Sequence, residues 1–180
     1  KRLEYTCLQG TTAQEVTTVT YDSRKVVEGS LFICIRGAVV DGHKFVADVV
    51  AKGAKTVVVE EAVEVPEDVT VILVKDTRYA MAFISAAYFG YPAEHLKTIG
   101  ITGTKGKTTT TYMVKSILEN AGYKVGLIGT IEAIIGDKVI PAANTTPESF
   151  VIQEYFREMV DAGCDCVVME VSSQGLMLHR

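Results

Sequence analysis

The chain has 180 residues, a hydrophobic fraction of 48% and a formal net charge of -4. This length allows one large domain or two small ones, and this hydrophobic content is ample for the buried core of a soluble globular protein. The net negative charge argues against a broad nucleic-acid interface, because such an interface needs a clustered basic face. We therefore expect no nucleic-acid partner, and we expect any bound nucleotide to be a small molecule.

The sequence predicts neither a membrane anchor nor a cysteine-based metal site. No apolar run approaches the roughly 18 residues that a membrane-spanning helix needs, and no secretory signal segment is present. The four cysteines are scattered apart from Cys164 and Cys166, and this pair lacks the second ligand pair of a zinc site. We expect reduced thiols in a cytoplasmic protein that does not insert into a membrane.

The first half of the chain predicts a small α/β unit. Segments rich in apolar and β-branched residues are expected to form strands, and longer segments to form helices. The predicted strands are 17–22, 31–36, 56–60 and 70–75, and the predicted helices are 43–52 and 78–89. Pro92 cannot continue the second helix. The polar segment 93–97 is the expected linker, which gives two domains, 1–92 and 97–180.

The second half begins with a strand, a glycine-containing loop and a helix. The expected strand is 98–102, the helix is 108–121, and the loop is Gly103-Thr104-Lys105-Gly106-Lys107-Thr108-Thr109. The usual phosphate loop would have its first glycine where this chain has Ile101. A loop of this kind still points backbone N–H groups at a helix N-terminus, where the helix dipole favours anions. We expect it to bind a polyphosphate; the alternative is an ordinary turn in which Thr108 caps the helix.

Three residues in this half carry the expected chemistry. Lys107 would neutralise the β and γ phosphates, and the Thr108 hydroxyl is a hard oxygen ligand for Mg²⁺. Glu170 interrupts the apolar run 166–171, a predicted central strand, near the edge where open α/β sheets bind ligands. A lone buried carboxylate is costly unless it meets a cation. That cation is either a Mg²⁺ shared with Thr108 or, in the alternative, a lysine such as Lys107.

Three further elements complete the second half: a strand at 124–128, a hairpin at 131–140 and a helix that ends near residue 162. Gly136-Asp137 lies between two apolar runs and indicates the hairpin turn. Thr146 is the expected N-cap of the helix, with Pro147 at its first position.

Several motifs taken together resemble the Mur ligases, the ATP-dependent ligases of peptidoglycan precursor synthesis. The phosphate loop has that family's short glycine spacing. Further runs are similar to the branch of the family that adds the third residue of the stem peptide. They are Asp22-Ser23-Arg24, Asp41-Gly42, Asn144-Thr145-Thr146-Pro147, and Met169-Glu170-Val171-Ser172-Ser173-Gln174-Gly175-Leu176 with Arg180. The resemblance covers essentially the whole chain, and these motifs in this order are more specific than the loop alone.

The resemblance implies an α/β fold in which a small N-terminal UDP-binding domain precedes the first part of a P-loop ATPase-type parallel-sheet domain. It implies catalytic roles for Lys107 and Glu170, a Mg²⁺ site at Thr108 and Glu170, and ATP binding by residues 103–109. The implied substrate-binding residues are Tyr21, Ser23, Asn144, Thr145, Thr146, Ser172 and Arg180.

The implied reaction is ATP-dependent amide formation. ATP phosphorylates the γ-carboxylate of UDP-N-acetylmuramoyl-L-alanyl-D-glutamate, and an incoming amino acid, meso-diaminopimelate or L-lysine, attacks the acyl phosphate. The cofactor is Mg²⁺, and the implied enzyme is a monomer of the bacterial cytoplasm. The sequence starts without Met and stops directly after a motif, so we expect a fragment of a longer ligase that is inactive alone.

Two other functions remain open, and three positions differ from the family pattern. A folylpolyglutamate synthase-like ligase shares the loop and its chemistry, and a non-catalytic nucleotide-binding module is the other alternative. Leu178 stands where some relatives carry Gln, so one substrate hydrogen bond is expected to be absent or replaced. Ala38-Val39-Val40 stand where some relatives carry His-Gln-Ala, so only backbone contacts to the diphosphate are expected there. Lys105 stands where Asn is common, and its charge either attracts phosphate or points to solvent.

Overall fold

The computed structural model describes residues 3–37 and 40–180. Within these residues it contains two five-stranded sheets, and the chain divides into two compact units, Lys1–Phe83 and Ile84–Arg180. The α/β class predicted from the sequence is confirmed.

The first unit is built on a mostly parallel sheet. Its strands are β1 (Thr6–Gln9), β2 (Thr18–Thr20), β3 (Ser30–Ile33), β4 (Ala54–Val59) and β5 (Thr70–Leu73). Their order across the sheet is β1-β5-β4-β3-β2, with β2 to β5 parallel and β1 antiparallel to β5. The sequence did not predict β1, because this short edge strand is mostly exposed and has no continuous apolar run.

Short helical segments connect these strands. The predicted helix 43–52 is divided into a 3-10 helix, Gly42–Phe45, and α1, Val46–Ala51. The 3-10 helix begins after Asp41, whose side chain accepts a hydrogen bond from the His43 N–H and caps this turn. Helix α2, Thr77–Tyr88, follows β5 and spans the boundary between the two units. The buried core of the first unit includes Phe32, Val49 and Val57.

The second unit places a parallel three-stranded core beside an antiparallel hairpin. Its strands are β6 (Lys97–Ile101), β7 (Val125–Ile128), β8 (Glu132–Ile135), β9 (Lys138–Pro141) and β10 (Cys166–Glu170). Strand β10 lies between β6 and β7 and is parallel to both, while β8 and β9 form the predicted hairpin. Val167 and Val168 are fully buried, as expected for a central strand covered on both faces.

After α2, the described second unit contains four helical segments, and two of them differ from the sequence prediction. The segments are a 3-10 helix (Pro92–His95), α3 (Lys107–Asn120), α4 (Ser149–Asp161) and α5 (Ser173–Met177). The segment 93–97, predicted as the linker, is not irregular: it contains the end of the 3-10 helix, buried Leu96 and the first residue of β6. No helix in the described part of the chain is long and apolar enough to cross a bilayer.

The start of α4 is the second correction. The predicted N-cap Thr146 lies three residues before the helix, and the N-cap is Glu148. The Thr146 hydroxyl is engaged instead with the backbone at the end of β10, which keeps it out of the helix.

Close packing of α4 on the sheet depends on Gly126 in β7. A Cβ atom at this position would lie 2.4 Å from the Sδ atom of Met159 and 2.7 Å from its Cε atom. Met159 belongs to α4 and is fully buried. Nonbonded carbon and sulfur atoms do not approach that closely, so the absence of a side chain at Gly126 makes room for the Met159 side chain of α4 against the strand.

We expect Gly126→Ala to lower the free energy of unfolding of the second unit by about 1–3 kcal/mol through overpacking. Met159→Ala should cost about 2–5 kcal/mol by leaving a cavity. In the double variant the added methyl group fills part of that cavity, so the two losses should be less than additive. Urea unfolding measures each loss when it is monitored by hydrogen exchange in peptides from β7 and α4. Simple additivity would contradict this account of the contact.

Candidate nucleotide and substrate site

The glycine-containing loop between β6 and α3 leaves the first turn of α3 without a side-chain cap. Gly106 has φ +78°, in the left-handed region that favours glycine, and a Cβ atom there would meet no atom within 4 Å. Gly106 is also the N-cap of α3, and no side chain caps this helix end. The first N–H groups of α3 therefore have no partner within the helix and are available to an anion.

Lys107 is the first residue of α3, and its side chain bonds back to the start of the loop. Its Nζ atom donates a hydrogen bond to the carbonyl oxygen of Gly103 at 2.8 Å. The alternative in which Lys107 forms a salt bridge with Glu170 is therefore not what the structure shows. The ammonium group lies across the loop instead, in position to meet a phosphate bound there.

Glu170 ends β10 and is only 1% exposed. Its Oε2 atom accepts hydrogen bonds from the hydroxyl groups of Thr108 and Thr130, each at 3.0 Å, and its Oε1 atom accepts from the Thr130 N–H at 2.9 Å. Among the described residues, it forms no ion pair. The carboxylate is thus buried among neutral donors, an arrangement that leaves a net negative charge in a site of low dielectric.

The donor set at Glu170 fits a hard divalent cation. Thr108 and Glu170 place a hydroxyl oxygen and a carboxylate oxygen 3.0 Å apart at the foot of the phosphate loop. Residues 3–37 and 40–180 contain no group of three or more His, Cys, Asp or Glu side chains that could hold a metal alone. Mg²⁺ usually binds through one or two protein oxygens together with substrate phosphates and water, so these residues suit Mg²⁺ bound with a nucleotide.

Thr146 fixes the segment that follows the hairpin onto the end of β10. Its hydroxyl donates to the carbonyl oxygen of Glu170 and accepts from the Ser172 N–H, both at 3.0 Å, and the residue is 2% exposed. Ser172 in turn caps α5, since its Oγ atom accepts from the Gly175 N–H at 2.9 Å. A Cβ atom at Gly175 would lie 2.9 Å from Thr146 Cγ2, so α5 packs closely on this threonine.

The remaining predicted substrate residues of this unit surround that anchor. The Arg180 guanidinium donates to the Thr146 carbonyl oxygen at 3.2 Å and pairs with Glu148 at 3.0 Å. Asn144 is exposed, and the Thr145 hydroxyl lies 3.1 Å from the Thr130 hydroxyl. The structure therefore brings the Asn144–Thr146 segment, Ser172 and Arg180 together with Glu170.

Sequence reasoning missed Thr130, Tyr112 and Glu132. Thr130 comes two residues after β7, at the carboxyl edge of the parallel strands, and this position was the available indication. The Tyr112 hydroxyl donates to Glu132 Oε1 at 2.8 Å, and burial, reinforced by the neighbouring carboxylate, raises the pKa of Tyr112 to about 12. Tyr112 is therefore a neutral donor at physiological pH.

The predicted uridine-binding residues lie in the first unit, in the turn directly after β2. Asp22 accepts two hydrogen bonds from the Arg24 guanidinium, at 2.9 and 2.7 Å, and these lower its pKa to about 2. The Ser23 carbonyl oxygen accepts from Lys52 Nζ at 3.0 Å, while Tyr21 and Ser23 are partly exposed. The turn is thus preformed.

The departure from the family pattern at Ala38-Val39-Val40 is only partly described by the structure. Residues 38 and 39 lie outside the described residues, and Val40 is exposed.

We expect Thr146→Val to lower the free energy of unfolding of the second unit by about 1–3 kcal/mol, because it leaves a buried carbonyl and a partly buried N–H without their partner. Thr145→Val is the matched control, since it removes one hydroxyl from a solvent-accessible hydrogen bond and should cost less than about 1 kcal/mol. Chemical unfolding of both variants measures the difference. Equal losses would show that Thr146 does not anchor the segment.

Two family models match the chain. Residues 15–89 match the model described as Mur ligase family, catalytic domain, and residues 101–180 match the Mur ligase middle domain.

Individual relatives agree with these models. The UDP-N-acetylmuramoyl-L-alanyl-D-glutamate--2,6-diaminopimelate ligase of Clostridium perfringens is 52% identical over 180 residues, which are 100% of this chain and 37% of the relative. The ligase of the same name from Clostridium botulinum is 50% identical over 183 residues, covering 100% of this chain and 38% of the relative. The chain thus spans a little over a third of the length of these curated relatives.

Solved structures share the fold. A UDP-N-acetylmuramoyl-L-alanyl-D-glutamate--2,6-diaminopimelate ligase superposes with a TM-score of 0.73 at 22% identity, covering 92% of this chain and 34% of that one. The MurF ligase of Thermotoga maritima in complex with ADP gives a TM-score of 0.59 at 21% identity, covering 87% of this chain and 32% of that one. With both halves matched by family models and both curated relatives about half identical to it, this chain belongs to the Mur ligase family.

Proposed function

We propose that this chain is the N-terminal part of an ATP-dependent ligase that adds a diamino acid to UDP-N-acetylmuramoyl-L-alanyl-D-glutamate in the bacterial cytoplasm. The observation that carries the proposal is the position of buried Glu170 between Thr108 of the phosphate loop and the Asn144–Thr146 segment. The names of the curated relatives favour diaminopimelate over lysine as the added amino acid. In this proposal residues 1–92 hold the uridine nucleotide and residues 97–180 begin the ATP-binding domain.

The phosphate loop supplies the nucleotide chemistry in this proposal. The N–H groups at the start of α3 hold phosphate oxygens, and Lys107 exchanges its bond to the Gly103 carbonyl for the β and γ phosphates of ATP. Thr108 and Glu170 hold Mg²⁺, which when bound offsets negative charge on the transferring phosphoryl group. The protein contributes mainly by orienting the phosphate and the acceptor carboxylate toward each other.

The predicted substrate residues have two roles: most of them contact the substrate, and one of them holds a neighbouring residue in position. Asn144, Thr145 and the Ser172 hydroxyl offer neutral hydrogen-bonding groups beside Glu170, and the Arg180 fork suits a carboxylate or phosphate. Thr146 is buried with its hydroxyl fully engaged, so its part is to hold Thr145 in place. Tyr21 and Ser23 take the uridine end of the substrate.

The full-length ligase should release ADP and form the UDP-linked tripeptide when it is given ATP, Mg²⁺, the UDP-linked dipeptide and diaminopimelate. Lys107→Ala should lower kcat about 10³-fold, because a charge that stabilises the transferring phosphoryl group is lost. Lys138→Ala is the control, since this exposed lysine pairs with Glu158 on the surface. Mass spectrometry of the products with the dipeptide or with folate as acceptor measures the reaction. Extension of folate alone would contradict the proposed substrate and support the folylpolyglutamate alternative.

Glu170→Gln keeps the size of the side chain but removes the charge that attracts Mg²⁺. We expect the Mg²⁺ concentration for half-maximal activity to rise about 10-fold or more, with incomplete recovery of kcat at saturating Mg²⁺. Initial rates across a Mg²⁺ titration measure both parameters. A variant with a lower melting temperature but an unchanged Mg²⁺ dependence would assign Glu170 a structural role only.

A further inference from the structure

Among the described residues, Thr130 contributes two of the three hydrogen bonds that hold the Glu170 carboxylate. Its N–H donates to Oε1 and its hydroxyl to Oε2, so both oxygen atoms of the carboxylate are fixed by one residue. The third bond comes from Thr108, which is also the expected Mg²⁺ ligand. Without Thr130, the Thr108 hydroxyl would be the one side-chain donor left in residues 3–37 and 40–180 to orient the carboxylate.

The turn that carries Thr130 is shaped to this carboxylate. Gly129 precedes it, and a Cβ atom at that position would lie 2.6 Å from Glu170 Oε1. Any larger residue would displace the carboxylate or the turn. Gly129 and Thr130 therefore act on the same carboxylate in two independent ways, one by leaving space and the other by donating hydrogen bonds.

The hydrogen bonds that join Thr145, Thr130 and Glu170 have a defined donor and acceptor at each step. Thr130 has one hydroxyl proton, and its Oγ1 atom lies 3.0 Å from Glu170 Oε2 and 3.1 Å from Thr145 Oγ1. The Glu170 carboxylate can only accept, so Thr130 donates to it and must accept from the Thr145 hydroxyl. The chain runs from Thr145 through Thr130 to Glu170. The Thr145 proton is thereby directed to Thr130, which leaves the Thr145 oxygen as an acceptor for an N–H or O–H group of the substrate.

We infer that Thr130 is a positioning residue that orients the Glu170 carboxylate for the metal-nucleotide site and links it, through Thr145, to the substrate segment. This inference rests on the proposed function, because it assigns Thr130 a role in the same site. Residues that hold a metal ligand by hydrogen bonds commonly change metal affinity 10- to 100-fold when they are replaced. Since Thr130 is itself exposed, its replacement should change the site more than the stability of the fold.

The test is Mn²⁺ binding by the full-length ligase in the presence of a non-hydrolysable ATP analogue. Electron paramagnetic resonance measures the free and bound Mn²⁺. Thr130→Val removes only the hydroxyl and should raise the Kd for Mn²⁺ about 10-fold, whereas Thr130→Ser should stay within about 2-fold of the wild type. Gly129→Ala should also weaken Mn²⁺ binding, although it keeps the Thr130 hydroxyl. Thr110→Val, an exposed threonine on α3, is the matched control and should leave the Kd unchanged.

Further outcomes separate this inference from the function on which it rests. The KM for the UDP-linked dipeptide should rise in Thr130→Val and recover in Thr130→Ser, a pattern that a merely structural role would not produce. Wild-type Mn²⁺ binding with an unchanged Kd in Thr130→Val would overturn the role of Thr130 and leave the proposed function standing. Absence of nucleotide-dependent Mn²⁺ binding in the wild type would overturn both.

Discussion

The second unit is organised around one buried carboxylate at the end of its central strand. Burying an unpaired carboxylate costs several kcal/mol. In the described part of the chain, hydrogen bonds from Thr108 and Thr130 offset this cost, and no lysine or arginine pairs with the carboxylate. The position follows from topology. Strand β10 lies between β6 and β7, and the carboxyl ends of parallel strands meet at one edge. The loop after β6 and the turn after β7 therefore both reach Glu170.

The choice of neutral donors has a chemical consequence. A lysine beside Glu170 would cancel its charge and remove the attraction for a divalent cation. The nearby Lys107 is kept from that role by its hydrogen bond to Gly103, which holds the ammonium group across the phosphate loop. Two opposite charges thus remain separate at one site, so that in the proposed function one meets phosphate and the other meets Mg²⁺. Thr146 extends the arrangement by binding the backbone of Glu170.

The parts predictable from sequence were those with a periodic or charged pattern. The adjacency of Thr108 and Glu170 followed from an acidic residue at the end of an apolar run and from the rule that parallel strands present ligands at one edge. The roles of Thr130 and Thr146 did not follow, because short polar residues after strands are usually caps or turns and only tertiary contacts distinguish them. The segment 93–97 resembled a linker because its composition is polar, yet Leu96 is buried in the core. Exposed β1 had no periodic pattern to identify it.

The most direct test of this account is a crystal structure of the full-length ligase with Mn²⁺ and a non-hydrolysable ATP analogue, in which anomalous scattering locates the metal. The account predicts a Mn²⁺ ion beside the Thr108 hydroxyl, at about the 2.0–2.1 Å from its oxygen that is typical of Mg²⁺, with the Glu170 carboxylate and phosphate oxygens as further ligands. Lys107 should have left the Gly103 carbonyl for a phosphate. Metal bound away from Thr108 and Glu170, with Glu170 still engaged only by threonine donors, would contradict the account.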